Sequence, residues 1–112
     1  GENSILQGRV RTAGDCVIEK NVTIKYGTIL TSKELLKEGC FLGPHTITLG
    51  STHERATKHG TTIGNNTYIG AGVKIAADTQ IGDNIAVGAL GFVNRDLVEE
   101  GIYAGLPVKK IK

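Results

Sequence analysis

The chain has 112 residues and a formal net charge of +2, with 13 Lys and Arg against 11 Asp and Glu. This length leaves room for one domain, which we place at residues 1–112. The balanced charge gives no support to a nucleic-acid partner, and we expect none. No apolar run approaches the roughly 20 residues of a membrane span, and nothing near Gly1 has the basic start and apolar core of a secretory leader. We therefore expect a cytoplasmic protein without a membrane partner.

The composition excludes a disordered chain and a disulfide scaffold. Aromatic residues make up only 4% and there is no Trp or Met, whereas Gly contributes 16 residues, about twice its ordinary share of roughly 7%. Ile, Val and Leu are supplied steadily along the chain, which disordered segments lack. The two cysteines, Cys16 and Cys40, are too few for a disulfide framework and lack metal-site spacing. We expect a core built from small and branched side chains.

Aliphatic residues recur every six positions in two blocks. The first block is Ile18, Ile24, Leu30, Leu36, Leu42 and Thr48, and the second is Ile63, Ile69, Ile75, Ile81, Val87 and Val93. The residue four positions after each is mostly small or β-branched, with weak points of the pattern at Glu34, Thr48 and Asn94. A fixed short period is sought before any other signal because it decides the architecture.

A period of six fits neither a helix, with its period near 3.6, nor a flat strand, with its period of 2. It fits short straight segments joined by corners at which Gly and Asn adopt positive φ. Three segments close a triangular coil, and stacked coils pair as parallel strands about 4.8 Å apart. We expect the aliphatic and the small positions to point inward, which makes Cys16 and Cys40 core residues.

The two blocks are out of phase, because Thr48 and Ile63 lie 15 residues apart. Residues from about 50 to 62 are therefore expected to leave the prism as one protruding loop, where function is commonly placed on a rigid scaffold. Of the three histidines, His53 and His59 fall in this loop, and His45 is expected at a corner of the coil surface. Residues 97–112 lose the repeat and are expected to cap the prism or lie along it. Their basic end, V-K-K-I-K at residues 108–112, is then expected to be exposed.

Three stretches of the second half resemble a known family. They read I-G-N-N-T-Y-I-G-A-G-V-K-I at residues 63–75, V-G-A-L-G-F-V-N-R-D at 87–96 and Y-A-G-L-P-V-K-K-I at 103–111. These stretches resemble the hexapeptide-repeat acyltransferases, among them the sugar, antibiotic and serine O-acetyltransferases. The resemblance implies an all-β, left-handed parallel β-helix that uses acetyl-CoA as co-substrate. It also implies a homotrimer with the active site between adjacent prisms, and a small polar acceptor, with a sugar or sugar nucleotide as the first expectation.

The resemblance also implies the catalytic residues. The T-H-E at residues 52–54 stands where many members carry a motif whose His is the general base, which assigns catalysis to His53 and acceptor binding to Glu54. An imidazole with a pKa of about 6.5 suits removal of a proton from an attacking hydroxyl or amine. His59 lies near the position of the base in serine acetyltransferases, and it is a rival base or a second acceptor contact. The sequence leaves the choice between His53 and His59 open.

The cofactor residues follow from the same resemblance. Ala71 and Ala89 match the small residues at which the pantetheine arm approaches the backbone. Asn94 and Arg95 stand where the family often has Thr-Lys, near the adenine and phosphates. Arg95 is suited to pair with phosphate, as is Lys109 or Lys110. Leu90 departs from the family's Gly and is expected to narrow the groove. No metal is expected.

Two other classes of function stay open. A γ-type carbonic anhydrase on the same scaffold would use His45, His53 and His59 as metal ligands, but seven and five residues separate them where that family has a pair separated by four. The other alternative is a non-catalytic β-helix scaffold. A metal assay tests the first alternative, and acetyl-CoA binding tests the second.

Overall fold

The computed structural model describes residues 1–49 and 60–112. Within these ranges the chain forms short strands and no helix, so it contains no helix that could span a membrane. In chain order the strands are β1 (Ile5–Leu6), β2 (Arg11–Thr12), β3 (Val17–Ile18), β4 (Thr23–Ile24), β5 (Ile29–Leu30), β6 (Leu35–Leu36), β7 (Phe41–Leu42), β8 (Ile47–Thr48), β9 (Thr62–Ile63), β10 (Tyr68–Ile69), β11 (Lys74–Ile75), β12 (Gln80–Ile81), β13 (Ile85–Val87), β14 (Phe92–Val93), β15 (Gly101–Gly105) and β16 (Val108–Lys110).

Consecutive strands lie on three faces of the prism in turn, so that three strands complete one coil. Face A contains β1, β4, β7, β10, β13, β15 and β16, face B contains β2, β5, β8, β11 and β14, and face C contains β3, β6, β9 and β12. All described pairs are parallel except β15 with β16. The predicted fold class, a left-handed parallel β-helix of hexapeptide repeats, is confirmed. The repeat also extends further towards the N-terminus than the sequence pattern indicated, because β1 and β2 belong to the first coil.

The register locates the interruption of the repeat. Thr23 pairs with Phe41, which lies 18 residues later, and Phe41 pairs with Tyr68, which lies 27 residues later. Nine additional residues are therefore inserted into one coil, between β8 and β9. The position of the predicted break is confirmed.

The coil resumes earlier than the expected loop of residues 50–62. Gly60 forms a corner with a φ of 77°, Thr61 is fully buried, and Thr62 begins β9. The reason is that Thr61 fills the small inward position two residues before Ile63, as its counterparts do elsewhere in the prism. Thus the last three residues of the expected loop belong to the coil.

Two inward positions of each hexad build the core. The aliphatic position ends each strand, and from Ile24 to Val93 its described residues are no more than 2% exposed. The small position precedes it by two residues and holds Val22, Thr28, Glu34, Cys40, Thr46, Thr61, Thr67, Val73, Thr79 and Ile85. Because each buried aliphatic side chain contributes about 1.5–3 kcal/mol, these stacked ladders carry the stability of a prism that has few aromatic residues.

The cysteines occupy the small position, as predicted. Cys40 is buried in the core, and burial raises the pKa of its thiol to about 12. Cys16 lies near the open N-terminal end of the prism, where it is half-buried and packs against the core. Neither environment favours a thiolate nucleophile, because desolvation disfavours the charged form.

Corners with positive φ stack on one another. Those between faces C and A are formed by Asn3, Asn21, Gly39, Asn66 and Asn84, residue types that tolerate this conformation. His45, with a φ of 59°, lies at the corner between faces A and B, and its ring packs edge-on against Tyr26 with centroids 5.4 Å apart. The prediction of an exposed corner histidine is confirmed.

The C-terminal residues cap the prism. Leu97 is buried and forms a bridge with Ile81, and β15 continues face A beyond β13. Val108 is buried in the space that Gly91 leaves, where a Cβ would lie 2.9 Å from the Val108 side chain. The predicted cap is confirmed, and residues 109–112 form its exposed basic end, whereas Val108 belongs to the core.

Candidate active site

The interrupting segment, residues 50–59, begins and ends at the corner between faces B and C. His53, Glu54 and His59 lie in it and therefore outside the described residues, so their roles stay predictions. The backbone N–H of Gly60 donates to Oδ1 of Asp78 at 2.9 Å, and Nε2 of Gln80 donates to the Gly60 carbonyl at 3.1 Å. These two bonds hold the point at which the chain rejoins the prism.

A buried carboxyl group lies inside the prism next to the residues that flank this segment. Glu34 is 1% exposed, and its Oε2 accepts hydrogen bonds from the Thr61 backbone N–H at 3.0 Å and from Oγ1 of Thr31 at 3.2 Å. The backbone N–H of Thr31 in turn donates to Oγ1 of Thr48 at 2.9 Å. The Oγ1 atoms of Thr31 and Thr48 lie 3.2 Å apart, so the Thr48 hydroxyl is connected to the carboxyl through Thr31. A polar cluster therefore connects both sides of the segment.

Burial controls the protonation of this carboxyl. It raises the pKa of Glu34 to about 7 by penalising the charged form, and the charge of Asp78 raises it further. The hydrogen bonds from Thr61, Thr48 and Thr31 lower the pKa but do not offset the desolvation. A carboxyl group with this pKa changes charge near neutrality.

Reasoning from the sequence did not identify Glu34 as a functional residue. In the sequence, Glu34 and Thr48 stood out only as weak points of the repeat. The available signal was that a carboxylate at a small inward position and a hydroxyl at an aliphatic position occur within the same stretch. Since polar groups at inward positions must find partners, two such departures predict a contact between them.

Ala71 and Ala89 stack on adjacent coils at the corner between faces A and B, and both are exposed. The Leu90 backbone N–H donates to the Ala71 carbonyl at 2.8 Å. Gly43 and Gly70 lie beneath them, where a Cβ would approach the alanine backbone nitrogens to 2.7 Å. The glycines are thus required for close stacking of the coils, and the alanines present backbone at the surface.

Leu90 lies at the same corner, one residue after Ala89. Its side chain is 70% exposed, and its Cδ2 would lie 2.7 Å from a Cβ placed on Gly72 of the coil before it. The leucine therefore covers the backbone of Gly72. That Leu90 narrows a cofactor groove beside the alanines stays a prediction.

Asn94 and Arg95 follow β14 at the corner between faces B and C, and both are exposed. Nη1 of Arg95 donates to the Val108 carbonyl at 2.8 Å, and Val108 is followed by the exposed Lys109. Arg95 thus contacts the backbone of the strand that carries Lys109. The alternative to Lys109, Lys110, forms an ion pair with Glu99 at 3.4 Å.

The candidate residues occupy two corners of the prism. Ala71 and Ala89 lie between faces A and B, whereas Asn94, Arg95 and both ends of the interrupting segment lie between faces B and C. Face B separates the two corners. A site that uses the alanines together with the segment must therefore extend across face B or combine two copies of the chain.

A shallow groove on face C lies beside the point at which the chain rejoins the prism. It has a volume of about 240 Å³ and begins at Thr62, with an apolar floor that includes Ile81 and Leu97 and a rim that includes Lys37 and Gln80. Polar side chains around an apolar floor are typical of small-molecule sites. This groove adjoins the corner that carries the segment.

These features define a hexapeptide-repeat β-helix with one inserted segment. The family profile described as "Bacterial transferase hexapeptide (six repeats)" matches residues 60–93, which extend from the rejoining corner through β14. Serine acetyltransferase from Synechococcus elongatus is 37% identical over 65 residues, which cover 58% of this chain and 27% of that protein. The resemblance recognised in the sequence is confirmed: residues 60–93 match the hexapeptide repeat of bacterial transferases.

Two solved structures share the fold over nearly the whole chain. A variant of GDP-perosamine N-acetyltransferase from Caulobacter crescentus, solved with CoA and GDP-perosamine, has a TM-score of 0.68 at 22% identity and covers 98% of this chain and 54% of its own. A hexapeptide-repeat acetyltransferase from Vibrio cholerae has a TM-score of 0.69 at 20% identity and covers 99% of this chain and 70% of its own. The chain therefore spans about a quarter of the curated relative and about half of the first structure.

Proposed function

We propose that the chain is the catalytic β-helix of an acetyltransferase that moves an acetyl group from acetyl-CoA to a hydroxyl or amine of a small polar acceptor. The observation that carries the proposal is the match of the transferase repeat to residues 60–93, the coils that hold Ala71 and Ala89. The acetyltransferase relatives support the reaction. Among the structural neighbours, the perosamine and maltose acetyltransferases support a sugar or sugar nucleotide as the acceptor.

His53 acts as the general base in this proposal. It takes the proton from the acceptor as the acceptor oxygen or nitrogen attacks the thioester carbonyl, and the CoA thiolate leaves as the new acyl bond forms. Backbone N–H groups near the segment stabilise the oxyanion. No covalent enzyme intermediate is needed, because the thioester is already activated. Glu54 and His59 contact the acceptor, and His59 is the alternative base.

Acetyl-CoA runs along the stacked coils. Its pantetheine arm lies against Ala71 and Ala89, where the small side chains allow it to approach the backbone. Its phosphates meet Arg95 and Lys109, and Asn94 faces the adenine; the bond from Arg95 to the carbonyl of Val108, the residue before Lys109, supports this pairing. Arg95 is suited to this role because one of its five donors holds the Val108 carbonyl while the guanidinium remains exposed.

The separation of the two corners supports a homotrimer. If the segment of one protomer meets the alanine corner of the next, each active site lies between adjacent prisms. Exposed apolar side chains on the faces, such as Ile29 at 40% and Tyr68 at 50% exposure, would be covered by such packing. Analytical ultracentrifugation tests the assembly, with a species of three chains expected and a stable monomer contradicting it.

Calorimetry with acetyl-CoA and a screen for release of the free CoA thiol test the proposed function together. We expect saturable acetyl-CoA binding and acceptor-dependent thiol release with at least one sugar or sugar nucleotide. Absence of saturable acetyl-CoA binding would favour a non-catalytic scaffold. Activity that depends on added zinc would favour a metal enzyme.

A further inference from the structure

We propose that Glu34 is a positioning residue for the active site: its buried carboxyl links Thr48 and Thr61, the residues on either side of the interrupting segment, and thereby fixes the base of that segment. The effect on catalysis depends on the proposed function, whereas the anchoring itself does not. Glu34 touches neither acceptor nor cofactor in this account.

The first argument is the geometry of the anchor. Oε2 of Glu34 accepts the Thr61 backbone N–H at 3.0 Å, which fixes the first buried residue after the segment. On the other side, Oγ1 of Thr48 lies 3.2 Å from Oγ1 of Thr31, which itself donates to the same Glu34 oxygen at 3.2 Å. Oε2 of Glu34 thus contacts Thr61 directly and is connected to Thr48 through the Thr31 hydroxyl.

The second argument is that stability does not account for this residue. The same ladder of small positions contains Cys16, Thr61 and Thr79, so that a threonine would fit the place of Glu34. Burial of a carboxyl group is unfavourable unless it is fully paired. Oε1 of Glu34 and Oγ1 of Thr61 have no hydrogen-bond partner among the described residues, so the pairing is incomplete. A buried carboxyl group that lowers stability at this place is explained by a role in holding Thr48 and Thr61 in position.

The third argument is electrostatic. The described titratable group that acts on Glu34 is the Asp78 carboxylate beside the rejoining corner, which raises the pKa of Glu34. The Cys16 thiol also lies near Glu34, and its pKa is raised first by burial and further by the Glu34 charge. Neither is a cation, so within residues 1–49 and 60–112 the charge of an ionised Glu34 is compensated by hydrogen bonds. A change in the charge of Glu34 should therefore alter the chemical shift of the Thr61 amide, which donates to its carboxyl.

Nuclear magnetic resonance tests the anchor in the intact protein without any assay of activity. In the wild type, the chemical shift of the Thr61 amide should titrate with a midpoint near neutrality, and this titration should vanish in Glu34→Gln. In Glu34→Thr, the exchange of the Thr61 amide with solvent should accelerate at least tenfold, while the Phe41 amide, bonded to the Thr67 carbonyl, keeps its rate. A Thr61 amide that neither titrates nor gains exchange would overturn the anchor.

Kinetics test the consequence for catalysis. Glu34→Thr should lower kcat at least tenfold while the KM for acetyl-CoA is retained and the thermal midpoint does not fall, and Glu34→Gln should restore most of kcat because its amide oxygen still accepts from Thr61. An unchanged kcat in Glu34→Thr would overturn the positioning role. If the wild type transfers acetyl to no acceptor, the proposed function fails, and the Thr61 amide still decides the anchor. If Glu34→Thr does not fold, an unaltered kcat together with an unaltered pH profile in Glu34→Gln would count against the role.

Discussion

The backbone N–H of Thr61 donates a 3.0 Å hydrogen bond to Oε2 of Glu34, a residue 27 positions earlier in the chain. In an uninterrupted prism, the residue stacked on Glu34 would lie 18 positions later in the chain, as Phe41 does relative to Thr23. The contact therefore exists because nine residues are inserted and the coil then resumes in phase. It joins the buried Glu34 carboxyl to the first buried residue after the segment that holds His53.

Glu34 makes stability depend on pH. Its pKa is raised from 4.5 to about 7 in the folded state, so its stabilising contribution is complete below the unfolded value and is lost as the pH rises through the folded value. The free energy of unfolding should therefore fall between about pH 5 and pH 8, by on the order of 2–3 kcal/mol at most. Urea denaturation across this range measures the effect.

The matched variants separate Glu34 from the other carboxylates. Glu34→Gln should remove this part of the pH dependence. Glu38→Gln, which alters an exposed carboxylate near Lys20, should leave it in place. The same slope in Glu34→Gln as in the wild type would contradict the assignment.

The stacking of coils at the alanine corner is tested with glycine substitutions. A Cβ on Gly70 would lie 2.7 Å from the Ala89 backbone nitrogen, so that Gly70→Ala should lower the free energy of unfolding by about 1–3 kcal/mol. Gly8→Ala is the control because a Cβ there meets nothing within 4 Å, and its effect should stay within about 0.5 kcal/mol. Equal denaturation midpoints for the two variants would refute the close approach of the coils.

Much of the fold followed from the sequence because the six-residue period records the shape of the coil directly. The strands from Val17–Ile18 to Phe92–Val93, the break and the cap were all predicted. The first coil was missed because Thr12 stands at its aliphatic position, where the periodic signal fades. Val108 was placed at the surface because its burial depends on the missing side chain of Gly91, a contact that no local pattern records.

Less of the candidate site than of the fold could be predicted from the sequence. The stacking of Ala71 on Ala89 could be expected, since one coil separates them. The link between Arg95 and the strand that carries Lys109 depends on how the C-terminal residues fold back, which the repeat does not specify. The position of Glu34 beside Thr61 depends on where the inserted residues end, and period counting misplaced that boundary by three residues.

Arg95 is expected to act on the cofactor more than on the reaction. Arg95→Ala should raise the KM for acetyl-CoA about tenfold, because a charge-assisted contact to phosphate contributes roughly 1.5–3 kcal/mol, and should change kcat little. Lys112→Ala is the control, since it removes an exposed charge from the same end of the chain. Steady-state kinetics with varied acetyl-CoA measure the split, and an unchanged KM in Arg95→Ala would remove Arg95 from the cofactor site.

The choice of base is tested with the two histidines of the segment. His53→Ala should lower kcat by at least about a hundredfold, the usual contribution of general-base catalysis, and His59→Ala should retain most of the activity. Thiol release at saturating acetyl-CoA measures both variants. If the losses are reversed, His59 is the base and His53 takes the acceptor contact.

The central claim is that this β-helix binds acetyl-CoA and transfers its acetyl group. Its most direct test is a calorimetric titration of the wild type and of His53→Ala with acetyl-CoA, followed by thiol release with the acceptor that the screen identifies. The account predicts saturable binding at one site per chain with nearly equal affinity in both proteins, and transfer by the wild type alone. Absence of saturable binding to the wild type would contradict it.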